Sequence, residues 1–97
     1  MYRIYDTFQI TRKMLDDHKN AFADYAEGLM VVFNYEEPFD PKDFVGRVAD
    51  IRLPNGTVLR NEIMKAETRS SALGLLLRGL KRGDVTAGSE LLRVSDR

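Results

Sequence analysis

The sequence of 97 residues contains no cysteine and no tryptophan, and its single histidine is His18. Without cysteine there is no disulfide, no cysteine-ligated zinc site and no thiol nucleophile. One imidazole cannot build a metal site by itself, and we expect it to pack beside the apolar stripe of a helix. We therefore expect a fold held together by its core, with no cofactor and no metal, which fits a cytoplasmic protein.

Long apolar runs are also missing. The longest, residues 29–33 and 75–77, are far too short to cross a bilayer, so no membrane association is expected. The first ten residues have no basic region followed by an apolar stretch, so we expect no signal peptide. There is no Gly-x-x-x-x-Gly-Lys-Ser/Thr pattern, which excludes nucleotide binding by a P-loop. With neither nucleophile nor ligand set in view, the sequence predicts a protein that is not an enzyme.

What the sequence does contain is typical of a soluble globular protein, with 43% hydrophobic and 31% charged residues. Its length favours a single domain over residues 1–97. The net charge is zero, but residues 1–43 carry 5 basic and 9 acidic side chains, whereas residues 44–82 carry 8 and 3. Such asymmetry indicates either an interaction face or two halves that neutralise each other within one fold.

Hydrophobic periodicity predicts about six strands and one helix. The expected strands are residues 1–10, 29–35, 44–53, 57–66, 72–80 and 91–94. A bulge is expected near Gly46 in the third strand. Pro54-Asn55-Gly56 is a strong hairpin signal, residues 36–43 form a loop because they contain two prolines, and residues 67–71 form a polar link. The sequence therefore predicts a mainly-β fold, a small closed or partly open antiparallel barrel.

The helix is expected over about residues 12–26, capped by Thr11 and ending near Gly28. Its apolar stripe consists of Met14, Leu15, Phe22 and Tyr25. This stripe either packs on the core across an open end of the barrel, or docks a partner or a second copy in a homodimer.

The segment GLLLRGLKRGDVTAGSEL, residues 74–91, resembles the closing segment of domain 2 of elongation factor Tu and related translation factors. The matching positions are Gly74, Leu75–Leu77, Arg78-Gly79, Leu80, Lys81-Arg82, Asp84-Val85, Gly88 and Leu91. Residues 5–10 and the pair Val45–Val48 and Gly56–Val58 are similar to earlier strands of that domain, in the same order. The resemblance implies a translation-factor β-barrel without the GTPase domain, in which the predicted helix is an insertion at a place where the family has only a short loop.

The basic residues are the best candidates for function. We expect Arg47, Arg52, Arg60, Arg78, Lys81 and Arg82 to bind a partner, several of them on one sheet face. Three interpretations stay open: an acidic protein partner, RNA or the ribosome, or a solvated face. The basic half holds one aromatic residue, Phe44, which favours a protein over RNA. The acids Glu36, Glu37, Asp40 and Asp43 lack the calcium-loop pattern and are expected to form a solvated loop.

Overall fold

The computed structural model describes residues 2–21, 25–35, 38, 40–69 and 71–96, apart from the side chain of residue 69. Its elements are β1 (Tyr2–Ile10), α1 (Arg12–Asp17), β2 (Gly28–Asn34), a 3-10 turn (Pro41–Asp43), β3 (Val48–Arg52), β4 (Val58–Arg69), β5 (Ala72–Leu77) and β6 (Glu90–Ser95). The strands form a closed antiparallel barrel in the order β1-β2-β5-β4-β3-β6. The predicted mainly-β class and six-stranded barrel are confirmed.

The barrel wall consists of two sheets that share β4. The second half of β4, from Ile63, pairs with β5, whereas its first half pairs with β3. We call β1-β2-β5-β4 the covered sheet and β6-β3-β4 the charged sheet. On the other side, the pairs that join β1 to β6 among the described residues are Tyr2–Leu91 and Arg3–Glu90. The closure is therefore extensive through β4 and short between β1 and β6.

The main core fills the inside of the barrel with aliphatic side chains from every strand and with Phe33. The connection between β5 and β6 also contributes Leu80 and Val85 to this core. Burial of this apolar surface is the dominant stabilising term for a domain of this size.

A second apolar cluster lies on the outer face of the covered sheet. The buried residues of this cluster are Ile10, Met30, Val32, Ala72 and Leu76, and Phe8, Met14, Leu15, Tyr25 and Met64 pack against them. Met14, Leu15 and Tyr25, which follow β1 in the chain, thus lie against the outside of the sheet. Because both faces of β2 and β5 are buried, these strands are continuous apolar runs without polar alternation.

The helix is shorter than predicted, since α1 ends at Asp17 and not near residue 26. Thr11 caps it as expected, accepting a hydrogen bond from the Met14 amide. At the other end His18 leaves helical geometry and is exposed. Consecutive acids, Asp16 and Asp17, stand where the helix dipole favours cations, which disfavours continuation. Gly28 begins β2 and does not cap the helix.

The apolar stripe packs against the outside of the barrel wall, where Met14, Leu15 and Tyr25 contact the second cluster. It does not lie across an open end. Phe22 is outside the described residues, as are Glu36 and Glu37 of the acidic loop. In the rest of that loop, Asp40 caps the 3-10 turn through its side chain and Asp43 is exposed.

Several strand boundaries also differ from the prediction. The hairpin at residues 54–56 is confirmed, with Gly56 at a φ of 90°. However, β3 begins only at Val48, because the chain turns at Gly46, which has a φ of 86°. Residues 67–69 belong to β4 because they pair with β5, and β5 ends at Leu77.

Candidate functional site

The outer face of the charged sheet carries alternating residues of its three strands. On the central strand β3, Val48, Asp50 and Arg52 belong to this face, and each lies opposite a residue of β4 and a residue of β6. Asp50 lies between Arg60 and Arg93, and Arg52 lies between Val58 and Glu90. Cross-strand pairing thus brings arginines and carboxylates into direct contact.

Asp50 is the buried centre of this face. The Arg93 Nε–H donates a hydrogen bond of 2.8 Å to Asp50 Oδ2, and Arg60 Nη1 lies 3.6 Å from the same oxygen. Arg60 Nη2 also donates to the hydroxyl of Ser95. Two guanidinium groups therefore share one buried carboxylate.

The other arginines of this surface are each next to one carboxylate. These ion pairs are Arg52–Glu90 at 3.1 Å, Arg47–Asp96 at 3.3 Å and Arg78–Glu62 at 2.9 Å. Arg47 lies just before β3, and Arg78 just after β5. Four of the six predicted binding residues thus lie on or beside one face, as expected, but the face holds five arginines and four carboxylates. On this face itself the arginines are therefore largely neutralised.

Arg93 was not among the predicted residues. It lies in the C-terminal segment, where the acids outnumber the bases. The polar position within an apolar run marks Arg93 as outward-facing, but only the pairing of β6 with β3 places it beside Asp50.

Lys81 and Arg82 lie elsewhere, on the connection between β5 and β6. The Arg82 amide donates to Gln9 Oε1 at 2.6 Å, and Gln9 Nε2 donates to the carbonyl of Gly28 at 3.1 Å. The Lys81 amide donates to the carboxylate of Asp84. The backbone of this corner is therefore fixed to β1 and β2. Both residues are exposed, and among the described residues neither side chain takes part in an ion pair.

This corner forms one wall of a groove of about 480 Å³, which we call the basic groove. It is lined by Gln9, Ile10, Thr11, Arg12, Glu27, Gly28, Gly79, Leu80, Lys81 and Arg82. Among the described lining residues there are three cations and one acid, and Arg12 lies 3.7 Å from Glu27. Ile10 and Leu80 are buried apolar residues beneath it. The structure thus brings Lys81 and Arg82 together with Arg12, which sequence reasoning missed because it lies in the acidic half.

An aromatic cluster lies at the opposite end of β1. Tyr2 contacts both Phe33 and Tyr35, with ring centroids 5.4 and 5.2 Å apart, and Tyr35 packs edge-on against Phe44 at 5.9 Å. Beside these rings is an apolar cleft of about 170 Å³ that also contacts residues 91–94. The length of β1 separates this cleft from the basic groove by roughly 26 Å. The sequence showed only Phe44 in the basic half, and the fold adds the others.

Neither a metal centre nor a membrane span is found in the part of the chain that the structure describes. Its His, Asp and Glu side chains form no group of three suited to an ion. Its helices are too short or too polar to cross a bilayer.

The comparisons with known proteins complete this description. No family model, no curated protein and no solved structure matches the chain. The resemblance to translation-factor domain 2 stays a prediction carried by residues 74–91.

Proposed function

We propose that this protein is a non-catalytic binding module that holds an acidic segment of a protein partner in the basic groove. The observation that carries the proposal is the groove itself, in which Arg12, Lys81 and Arg82 face a single carboxylate, that of Glu27. Complementary charge steers an acidic partner to such a surface and fixes its orientation.

The basic groove is a better candidate than the charged sheet because of what each cation already contacts. Arg47, Arg52 and Arg78 each have a carboxylate within 4 Å, so an acidic ligand has to compete with the protein's own acids. The side chains of Lys81 and Arg82 have no such competitor among the described residues. The backbone hydrogen bond from Arg82 to Gln9 also holds this corner in place, which lowers the entropy lost on binding.

The lining of the groove favours a protein over RNA. Single-stranded nucleic acid is held largely by stacking of bases on aromatic rings, and the residues that line the groove include none. The alternative, an RNA- or ribosome-associated translation-factor-like module that uses the basic strand face, is tested by the same experiment.

The test is a fluorescence anisotropy titration with a labelled hexaglutamate peptide and, separately, a labelled single-stranded uridine oligonucleotide. We expect the peptide to bind and the double variant K81E/R82E to bind it at least about tenfold more weakly, which corresponds to roughly 1.4 kcal/mol. The matched control is R47E/R52E, which reverses two charges of the charged sheet and should change the affinity less than about threefold. Circular dichroism checks that both variants are folded.

Two outcomes would contradict the proposal. One is that the peptide fails to bind even at low salt. The other is that the oligonucleotide binds more tightly than the peptide, with an affinity that falls steeply as salt is added. A homodimer stays a separate prediction, which analytical ultracentrifugation of the same samples tests.

A further inference from the structure

We propose that Arg60 and Arg93, held by Asp50 on the outer face of the charged sheet, form a binding site for a phosphate group. This site is distinct from the basic groove and does not depend on the function proposed for it. The argument starts from the convergence of two guanidinium groups on one oxygen. Asp50 Oδ2 accepts from Arg93 Nε at 2.8 Å and lies 3.6 Å from Arg60 Nη1.

The three side chains differ in their exposed fraction and therefore in their role. The Asp50 side chain is 5% exposed, whereas those of Arg60 and Arg93 are 52% and 70% exposed. The carboxylate therefore lies beneath the arginines and anchors them, and the guanidinium groups are open to solvent. Arg93 uses its Nε–H for this anchor, which leaves the N–H groups of both terminal nitrogens for a ligand.

Charge balance singles out this site on the face. Arg47, Arg52 and Arg78 are each paired with a carboxylate of their own. Arg60 and Arg93 share one, so a local charge of +1 remains. Paired guanidinium forks match the oxygens of phosphate and bind them with charge-assisted hydrogen bonds. Neutralising a single buried carboxylate requires only one arginine, and the second provides the charge that attracts an anion.

The site is also preorganised. Cross-strand pairing places Arg60 and Arg93 directly opposite Asp50 on the two neighbouring strands. The Arg60 Nη2–H donates to Ser95 Oγ at 3.3 Å, which further restricts that side chain. Anchored arginines lose less conformational entropy on binding than free ones, so the geometry favours a tetrahedral oxyanion over a diffuse counterion.

The experiment follows the arginine Nε–H signals in ¹H–¹⁵N spectra during titration with inorganic phosphate, with sodium chloride at equal ionic strength as the reference. We expect the Arg60 and Arg93 signals to shift saturably with phosphate and not with chloride. R93Q should weaken binding about tenfold. R93K keeps the charge but loses the forked guanidinium group, so its affinity for phosphate should lie between those of the unchanged protein and R93Q. This variant keeps the test decisive if R93Q does not fold. The matched control R52Q, which removes an arginine already paired with Glu90, should change binding less than about twofold.

A second titration distinguishes the source of the phosphate group by comparing a phosphoserine peptide with its unphosphorylated form. Tighter binding of the phosphopeptide than of inorganic phosphate assigns the site to a phosphorylated protein, and equal binding assigns it to the phosphate group alone. The proposal is overturned if phosphate shifts neither signal, or if K81E/R82E abolishes the response while R93Q does not.

Discussion

The outer faces of the two sheets of this barrel differ in composition. In the covered sheet, β2 and β5 are buried on both faces, and Met14, Leu15 and Tyr25 pack against the outer face. The charged sheet is apolar only inside, and its outer face holds five arginines and four carboxylates. The difference shows that the outer face of one barrel wall contributes stability through burial, whereas the arginines on the outer face of the other remain exposed to solvent.

The contrast is visible along the chain once the pairing is known. Strands β2 and β5 are continuous apolar runs, which is the pattern of strands that are buried on both faces. Strand β3 alternates between apolar and polar residues, the pattern of a strand with one solvated face. Substitutions on the two outer faces should therefore differ strongly in their effect on stability.

The largest difference is expected from truncating one side chain on each outer face. Leu76→Ala removes a buried leucine from the second cluster and should lower the free energy of unfolding by about 2–5 kcal/mol. Val58→Ala, on the charged sheet, removes a side chain that is 51% exposed and should cost less than about 0.5 kcal/mol. Urea denaturation measures both. Equal losses would show that the second cluster contributes no more than the solvated face.

The close packing of the covered sheet is tested at its glycines. A Cβ atom at Gly28 would lie 2.4 Å from the carbonyl oxygen of Leu77, a backbone atom that cannot move away cheaply. Gly28→Ala should therefore destabilise by about 1–3 kcal/mol. At Gly74 the nearest atom is the flexible Met30 sulfur at 3.1 Å, so Gly74→Ala should cost clearly less. Thermal unfolding measures the stability of the two variants. A larger loss for Gly74→Ala than for Gly28→Ala would contradict the packing described.

A smaller effect is expected at the contact between Tyr25 and the covered sheet. The Tyr25 hydroxyl donates to the Glu67 carboxylate, and Lys65 Nζ lies 5.0 Å from the centre of the Tyr25 ring. Tyr25→Phe leaves the ring in place and removes the hydrogen bond, which should lower stability by about 1 kcal/mol. Tyr5→Phe, at a tyrosine that is 57% exposed, is the control. Urea denaturation measures both variants. An equal change in their free energy of unfolding would mean that the hydrogen bond of the Tyr25 hydroxyl does not stabilise the protein.

The smallest effect is expected on the charged sheet. Arg52→Gln removes the ion pair with Glu90, which is partly exposed and therefore screened by water and salt. The loss should be about 0–1 kcal/mol and should shrink further in 1 M sodium chloride. Chemical denaturation at low and high salt checks this, and a loss that is larger at high salt would contradict a screened surface pair.

Much of the fold was predictable because local signals agreed with it. Alternation in residues 1–10, the turn at Asn55-Gly56 and the apolar runs of β2 and β5 each indicate a strand or hairpin without knowledge of neighbours. The helix was overestimated because the stripe of Met14, Leu15 and Tyr25 has helical spacing. Tyr25 contacts the sheet from a non-helical segment, so its side chain packs on the sheet without a helix.

The candidate sites were less predictable for a different reason. Arg52 was identified as outward-facing from periodicity and Arg60 as a candidate from its charge, but their partners Glu90 and Asp50 are 38 and 10 positions away. Arg12 and Arg93 were missed because each lies in a segment with a surplus of acids. The net charge of a sequence block equals the charge of a surface only when the residues of the block lie together on that surface. In this barrel, strands from different blocks lie side by side, so the two charges differ.

The sequence by itself determined the mainly-β class, most strand positions and the absence of thiol and P-loop chemistry, because these depend on local periodicity and on residue types. The tertiary structure decided which outer face is covered, which arginines are neutralised, and which cations meet at the basic groove and at Asp50. These properties depend on contacts between residues far apart in the chain, and only the register of paired strands specifies them.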